Sequence, residues 1–352
     1  MARHFFWILL VLLVLIRQIS ARPVYNDGDR VRITTRLASE PIRYKNSQGV
    51  AIAGLKTYLP KYPEVYYGDR VIIEGVVADG ELKDPVLVFS EEGAGLLYKF
   101  RKRLVRIYSN SLPEPHASLV AGVTLGSKQS IPPDFWEALK YSGTAHVVVA
   151  SGMNVTLVAG FLVNLLVLFF SRRRAVLLAL MGIWVYALVS GFDAPIIRAA
   201  IMGSIGFTGI VLGRVNDAWR GLFLSALVML VVKPEWVADL GFILSFVATA
   251  SLMLFEKRVE RRFSFLPRVV REDFSTSLSA QIGVAPILWA TFGQFNLLSP
   301  VINALVLWTI APITIIGIVG GITALVVPFL GRLILYVVFP MASWFVWIIR
   351  FF

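Results

Sequence analysis

From residue 144 to residue 352, apolar runs follow one another with only short polar breaks, and no other feature of the chain is as restrictive. A bilayer core about 30 Å thick needs about 20 apolar residues in a helix that rises about 1.5 Å per residue. Runs near 146–170, 175–190, 195–213, 218–232, 237–255, 275–292, 298–327 and 333–349 approach or meet that length. The chain is 57% hydrophobic and 16% charged, whereas soluble domains carry about 45–50% and about 25%. The fold class that follows is a polytopic α-helical membrane protein, with 144–352 as its multi-span domain. The run 298–327 holds Pro300 and Pro312 and is long for one tilted helix, so a broken or re-entrant segment is expected there.

The N-terminal third is different. Residues 1–21 carry a twelve-residue apolar run, Phe5 to Ile16, between Arg3 and Arg17. Such a run suits a secretory leader or a short anchor. Bulky Ile19 before Ala21 favours an anchor that is retained. Residues 22–95 alternate short β-rich runs with turn residues, at Arg30–Leu37, Gly49–Leu55, Val71–Val77 and Pro85–Ser90. The tripeptide Gly-Asp-Arg occurs twice, at 28–30 and 68–70, and Gly75 falls where a barrel strand must bend. A small OB-like β-barrel is expected. Residues 96–143 follow as amphipathic or interfacial helices. Leu96, Leu97, Phe100, Leu104 and Ile107 share helical spacing, with Lys99, Arg101, Lys102, Arg103 and Arg106 around them. This helix can lie on a membrane surface or pack on its own protein.

Basic residues set the expected orientation. Eleven of them (Arg172, Arg173, Arg174, Arg214, Arg220, Lys257, Arg258, Arg261, Arg262, Arg268 and Arg271) lie in alternate loops, against Lys233 alone in the loops between. The side holding 171–174 is therefore cytoplasmic, and the β domain lies outside.

Polar groups within the apolar runs are the candidate pore residues. A central arginine costs about 2.5–3.5 kcal/mol on insertion scales, so Arg198 needs a partner or water, and Asp193 is near in sequence. Ser151, Gly152 and Asn154 can open a helix backbone after His146. Asp239 and Ser245 mark the start of another span; Asp239 either caps that helix or lines a vestibule. Asn303 is a candidate buried amide. These side chains are expected to converge on a wet conduit. Gly203, Gly206, Gly209 and Gly213, and later Gly317, Gly320 and Gly321, suit helix packing. No cysteine is present, and His4, His116 and His146 are too few for a His-rich metal centre. No catalytic residue, metal or cofactor is expected. A serine hydrolase built on Ser151 lacks a histidine well placed to serve as base.

Several motifs appear in order: Leu119–Gly126; His146 to Asn154; Tyr186 to Met202 with Gly191 and Arg198; Pro234 with Asp239 to Phe246; and Ser299, Pro300 and Asn303. Together they resemble the ComEC competence-protein family, the inner-membrane channel of bacterial DNA uptake. The match covers roughly residues 25–310, and the β domain resembles the family's OB domain. Asn154 stands where many members have His. Many members also carry a metallo-β-lactamase-like nuclease domain, whose metal ligands the three histidines here cannot supply. The resemblance implies a multi-pass plasma-membrane channel for single-stranded DNA. It implies an external basic face of Lys99, Arg101, Lys102, Arg103 and Arg106, and Tyr66 and Tyr67 among the stacking candidates Tyr44, Tyr58 and Tyr62. Expected partners are single-stranded DNA, the bilayer, a separate nuclease, a DNA receptor, a cytoplasmic ATPase and further copies of the chain. No GxxxxGK[ST] loop is present, so energy would come from a partner. The rival readings are a small-solute or lipid transporter, the intramembrane serine hydrolase, and a docking module for pili or cell wall.

Overall fold

The computed structural model describes residues 11–18, 25–37, 40–44, 46–93, 95–128, 131–149, 151–211, 217–293 and 296–352. The first helix, α1 (11–18), lies within the N-terminal apolar run, and Gln18 and Arg17 donate to the carbonyls of Pro234 and Val231. The remainder of the 1–21 segment falls outside the described residues.

The β domain holds β1 (Arg30–Arg36), β2 (Ile42–Arg43), β3 (Ser47–Ile52), β4 (Leu55–Pro60), β5 (Arg70–Ala78) and β6 (Glu81–Glu91). They form one six-stranded sheet in the order β1-β5-β6-β4-β3-β2. Only β4 and β6 run parallel. The expected barrel is not closed: β1 and β2 are the two edges of the sheet. Inward residues of alternating strands, among them Ile33, Val50, Leu59, Val71, Ile73 and Val77, form its core. The expected Gly49–Leu55 strand is instead two strands. Ala53 and Gly54, with φ of 47° and 84°, turn the chain between them, the left-handed pair that a tight hairpin requires.

The repeated tripeptide makes the same turn twice. Asn26 N–H donates to Asp29 Oδ2 at 3.0 Å, and Tyr66 N–H donates to Asp69 Oδ2 at 2.7 Å. Those turns lead into β1 and β5, which pair antiparallel. Gly75 sits at a register shift between β5 and β6, where a Cβ would come within 2.6 Å of Leu82 and 2.9 Å of the Lys83 carbonyl. Pro85 falls at the irregularity facing it, where the lost N–H costs no ladder bond.

The helices are α2 (Leu96–Ser111), α3 (His116–Leu125), α4 (Pro133–Tyr141), α5 (Ala145–Val148), α6 (Gly152–Leu166), α7 (Arg172–Val189), α8 (Ala194–Val211), α9 (Ala218–Val232), α10 (Leu240–Arg262), α11 (Arg268–Phe292), α12 (Ser299–Val326) and α13 (Pro328–Phe351). A 3-10 turn, Pro234–Ala238, joins α9 to α10. Among the described residues four segments, Ala145–Leu166, Leu240–Arg262, Ser299–Val326 and Pro328–Phe351, are long and apolar enough to cross a membrane. The 298–327 run is not broken. It forms the continuous helix α12, with Pro300 in the first turn, where its missing N–H is harmless, and Pro312 accommodated inside.

The main core joins α2, α3, α4, α12 and α13. The basic helix α2 therefore packs on its own protein. Its buried side is Tyr98, Arg101, Leu104, Tyr108 and Ser111, rotated from the apolar stripe seen in sequence, and Leu96 is exposed. Tyr108 donates to the Gly317 carbonyl at 3.1 Å. The α12 glycines make this contact possible: a Cβ at Gly321 would lie 2.6 Å from the Tyr108 hydroxyl, and one at Gly317 would lie 2.7 Å from Thr124. The other glycine row does not behave alike. A Cβ at Gly203 would meet nothing, and Gly213 lies outside the described residues.

Candidate functional site

Arg198 occupies the second turn of α8, a helix whose first free N–H groups, those of Ile196 and Ile197, donate to the Asp193 carbonyl at 3.0 and 3.1 Å. Ala194, Ile196 and Ala200 are buried, which fixes the helix in the bundle. The arginine side chain crosses to α10, where Nε donates to Ser245 Oγ at 2.7 Å. Asp239 holds the start of α10 by accepting from Phe242 N–H at 2.8 Å, so it is a helix cap. Nη1 meets Met202 Sδ at 3.5 Å, and the guanidinium carbon lies 5.9 Å from the centre of the Phe246 ring. Nη2 lies 2.7 Å from where a Cβ on residue 152 would stand, so a glycine there is what admits the guanidinium.

Among the described residues no carboxylate pairs with Arg198. Asp193, the partner suggested by sequence, is taken by Lys128 Nζ at 3.0 Å. A guanidinium carries five donors, and a serine oxygen and a thioether leave most of them without a strong acceptor. The groups beside it are also donors. The chain is extended at Val149 and Ser151, so α5 and α6 are separate helices, and Ser151 makes no side-chain cap for α6. The first N–H groups of α6 are thus uncapped by side chains, and Ser151 Oγ is buried without a partner. Cation, helix N-terminus and hydroxyl together make a place where negative charge is favoured.

The remaining candidates do not join this group. Asn154 is fully buried and donates to the Val123 carbonyl at 2.9 Å, tying α6 to α3. Asn303 is 2% exposed and donates to Ser277 Oγ at 2.5 Å on α11. The expected convergence of Arg198, Asn154 and Asn303 is therefore corrected. Each amide donates to a different neighbouring helix, and the carbonyl oxygens of both are buried without a hydrogen-bond partner among the described residues. His146 hydrogen-bonds the Gly143 carbonyl through Nδ1 at 2.9 Å. Its side chain is exposed. Among the described residues no group of three or more His, Asp or Glu is placed to hold a metal ion.

On α2, Lys99, Arg103 and Arg106 are exposed and form no ion pair among the described residues. Lys102 pairs with Glu92 and lies 5.4 Å from the Tyr66 ring centre. Arg101 does not share the exposed face. It is buried, salt-bridged to Glu40, and lies 5.2 Å from the Tyr67 ring centre. Tyr66 donates its hydroxyl to Glu64 at 2.7 Å, and burial pushes its phenol above the usual range, as it does for Tyr67. The exposed members of the tyrosine set are instead Tyr44 and Tyr58, with ring centres 5.9 Å apart, and Tyr62. Nothing in the sequence links Glu40 to Arg101 or Lys128 to Asp193, the pairs that the fold makes.

Comparison with known proteins gives a family. A family model described as Competence protein matches residues 123–352. The match runs from α3 to the end of α13 and includes Arg198 and Ser245; the β domain and α2 precede it. ComE operon protein 3 of Bacillus subtilis (strain 168) is 29% identical over 207 residues, 58% of this chain and 26% of that protein. Competence protein ComA of Neisseria gonorrhoeae is 26% identical over 257 residues, 66% of this chain and 35% of that protein. The chain thus aligns with about a quarter to a third of these relatives' length. No solved structure matches.

Proposed function

The chain belongs to the Competence protein family, and from that premise we propose that it forms the plasma-membrane passage by which single-stranded DNA enters a bacterial cell during transformation. The observation that carries this is Arg198, a cation among apolar helices that is positioned by Ser245 and, among the described residues, paired with no carboxylate. A phosphate passing the start of α6 would supply the missing charge. Transport, rather than catalysis, is the role such a group suits.

The β domain would be external and OB-like. Its single parallel pair, β4 with β6, supports this, as does the closeness in sequence of the edge strands β1 and β2. A partly open barrel of this kind binds single strands by stacking and charge. Tyr44, Tyr58 and Tyr62 would stack bases, and Lys99, Lys102, Arg103 and Arg106 would hold phosphates. A nuclease, a DNA receptor and an ATPase would act as separate partners, and several copies of the chain could assemble around the strand.

The test is uptake of labelled DNA by cells carrying Arg198→Ala or Arg198→Lys at normal protein levels. Loss with Ala and partial retention with Lys is expected, since lysine keeps the charge without the fork. Full uptake by Arg198→Ala removes the proposal. Binding of oligothymidylate to the full chain at two salt concentrations separates it from a small-solute transporter, which would show no salt-sensitive binding.

A further inference from the structure

The seam between the β domain and the helices holds a buried set of charges. Glu40, in the connection between β1 and β2, has a side chain 8% exposed, and its partner Arg101 one 5% exposed. One carboxylate oxygen accepts from Arg101 Nη2 and the other from the backbone N–H of Lys128. Arg101 Nη1 donates to the Val189 carbonyl at 2.8 Å. Lys128 Nζ reaches Asp193 at 3.0 Å. Both ends of the Val189–Asp193 loop are therefore gripped, and Glu40 holds both grips at once.

The gripped loop is strained. Gly191 has φ of 92°, and Phe192, which is not glycine, has φ of 55°. A Cβ on residue 191 would make ordinary contacts with Arg101 Nη1 at 3.4 Å and Tyr67 at 3.9 Å, so the positive φ rather than lack of space favours glycine there. Left-handed backbone in a bulky residue persists where its surroundings over-determine it. The loop ends at Asp193, whose carbonyl starts α8, five residues before Arg198.

The carboxylate thus sits where an oxyanion of a nucleic acid backbone would sit, between a guanidinium and a backbone N–H. We infer that Glu40 is a displaceable latch: it occupies the Arg101 site in place of a phosphate, and its displacement releases the Val189–Asp193 loop and the α8 helix that carries Arg198. The exposed Lys99, Arg103 and Arg106 on the same helix as Arg101 would raise the local concentration of the polyanion that displaces it. This rests on the reading of the chain as a DNA passage, and it makes engagement of the external domain a condition for opening the site at Arg198.

The chain has no cysteine, so a single one reports cleanly. Ser190→Cys is near-isosteric, and Ser190 is 2% exposed within the gripped loop. In the full chain in lipid nanodiscs, reaction of this cysteine with N-ethylmaleimide should be slow. Glu40→Gln should speed it by about tenfold or more, as expected when loss of a charge-assisted bond eases local opening. Oligothymidylate should speed it in the parent and add nothing in Glu40→Gln. A second reporter, Ser225→Cys, is 0% exposed on α9 and should stay protected throughout. Exposure of both reporters in Glu40→Gln would make the pair a purely structural one and overturn the latch. Oligothymidylate that binds, by anisotropy, without speeding the Ser190→Cys reaction would also overturn it. Absence of any binding would instead remove the DNA reading itself.

Discussion

Arg198 and Gly152 act as a pair, because the guanidinium fills the volume that any side chain at 152 would need. Gly152→Ala places a methyl 2.7 Å from Nη2, and the Nε bond to Ser245 resists the shift that would relieve it. DNA uptake should fall by about tenfold or more, the cost of misplacing one charged contact by about 1 Å, while protein level is maintained. Gly203→Ala is the control: a Cβ there meets nothing, so uptake should be unchanged. Equal loss in both variants, scored by uptake of labelled DNA, would make the effect one of helix packing. Arg198, Ser151, Gly152 and Ser245 could be picked out in the sequence because charge and small polar groups are conspicuous in an apolar run. That Ser245 is the one that pairs with Arg198 could not. Asp193 is five residues away, yet it pairs with Lys128, distant in sequence.

At the scale of elements, the paired turns before β1 and β5 differ in what they support. Asp69 is 2% exposed and accepts from Tyr66 N–H and Gly93 N–H, whereas Asp29 accepts only from Asn26 through its side chain. Asp69→Ala should cost about 1–3 kcal/mol or more, the penalty for orphaned buried donors, and Asp29→Ala about 0.5 kcal/mol or less; thermal unfolding distinguishes them. Burial lifts the Asp69 carboxyl above its ordinary value of 3.8 despite the two N–H groups that act the other way. Its protonated form is thus the one the fold favours. Stability from this group is present on the acid side and lost as pH rises through the raised value. Asp69→Asn should flatten that slope in melting midpoints taken from about pH 3 to 6. The helix α2 gives a second prediction. Lys99→Ala, Arg103→Ala and Arg106→Ala together should flatten the salt dependence of oligothymidylate binding by about 2 in log–log slope, at about 0.7 for each phosphate contact with a single strand. Its helical nature and charge were legible from periodicity. Its buried face was not, because Tyr98 is set against Gly68 and Gly93, Arg101 against Glu40 and Tyr108 against Gly321 of α12, contacts that periodicity within the helix does not show.

For the whole molecule, the helices α5 to α13 follow the apolar runs, since length and hydropathy are local properties. How they meet is a property of distant pairs, which is why a convergence of Asn154 and Asn303 on Arg198 could be expected and yet not occur. The direction of the bundle across the membrane rests on charge. Translocating arginine is costly, so loops rich in it stay in the cytoplasm. Arg172, Arg173 and Arg174 open α7 at the end remote from the Val189–Asp193 loop, which Arg101 and Glu40 attach to the β domain. If the basic end is cytoplasmic, the seam and the β domain must be outside, where incoming DNA would first meet Lys99 and the exposed tyrosines. A single cysteine at Lys99 should then react with a membrane-impermeant maleimide on intact cells, and one at Arg173 only after the membrane is opened. The reverse pattern would put the β domain in the cytoplasm. Arg198 would then stand near the exit of the passage, and the latch at Glu40 would sense a strand leaving rather than arriving.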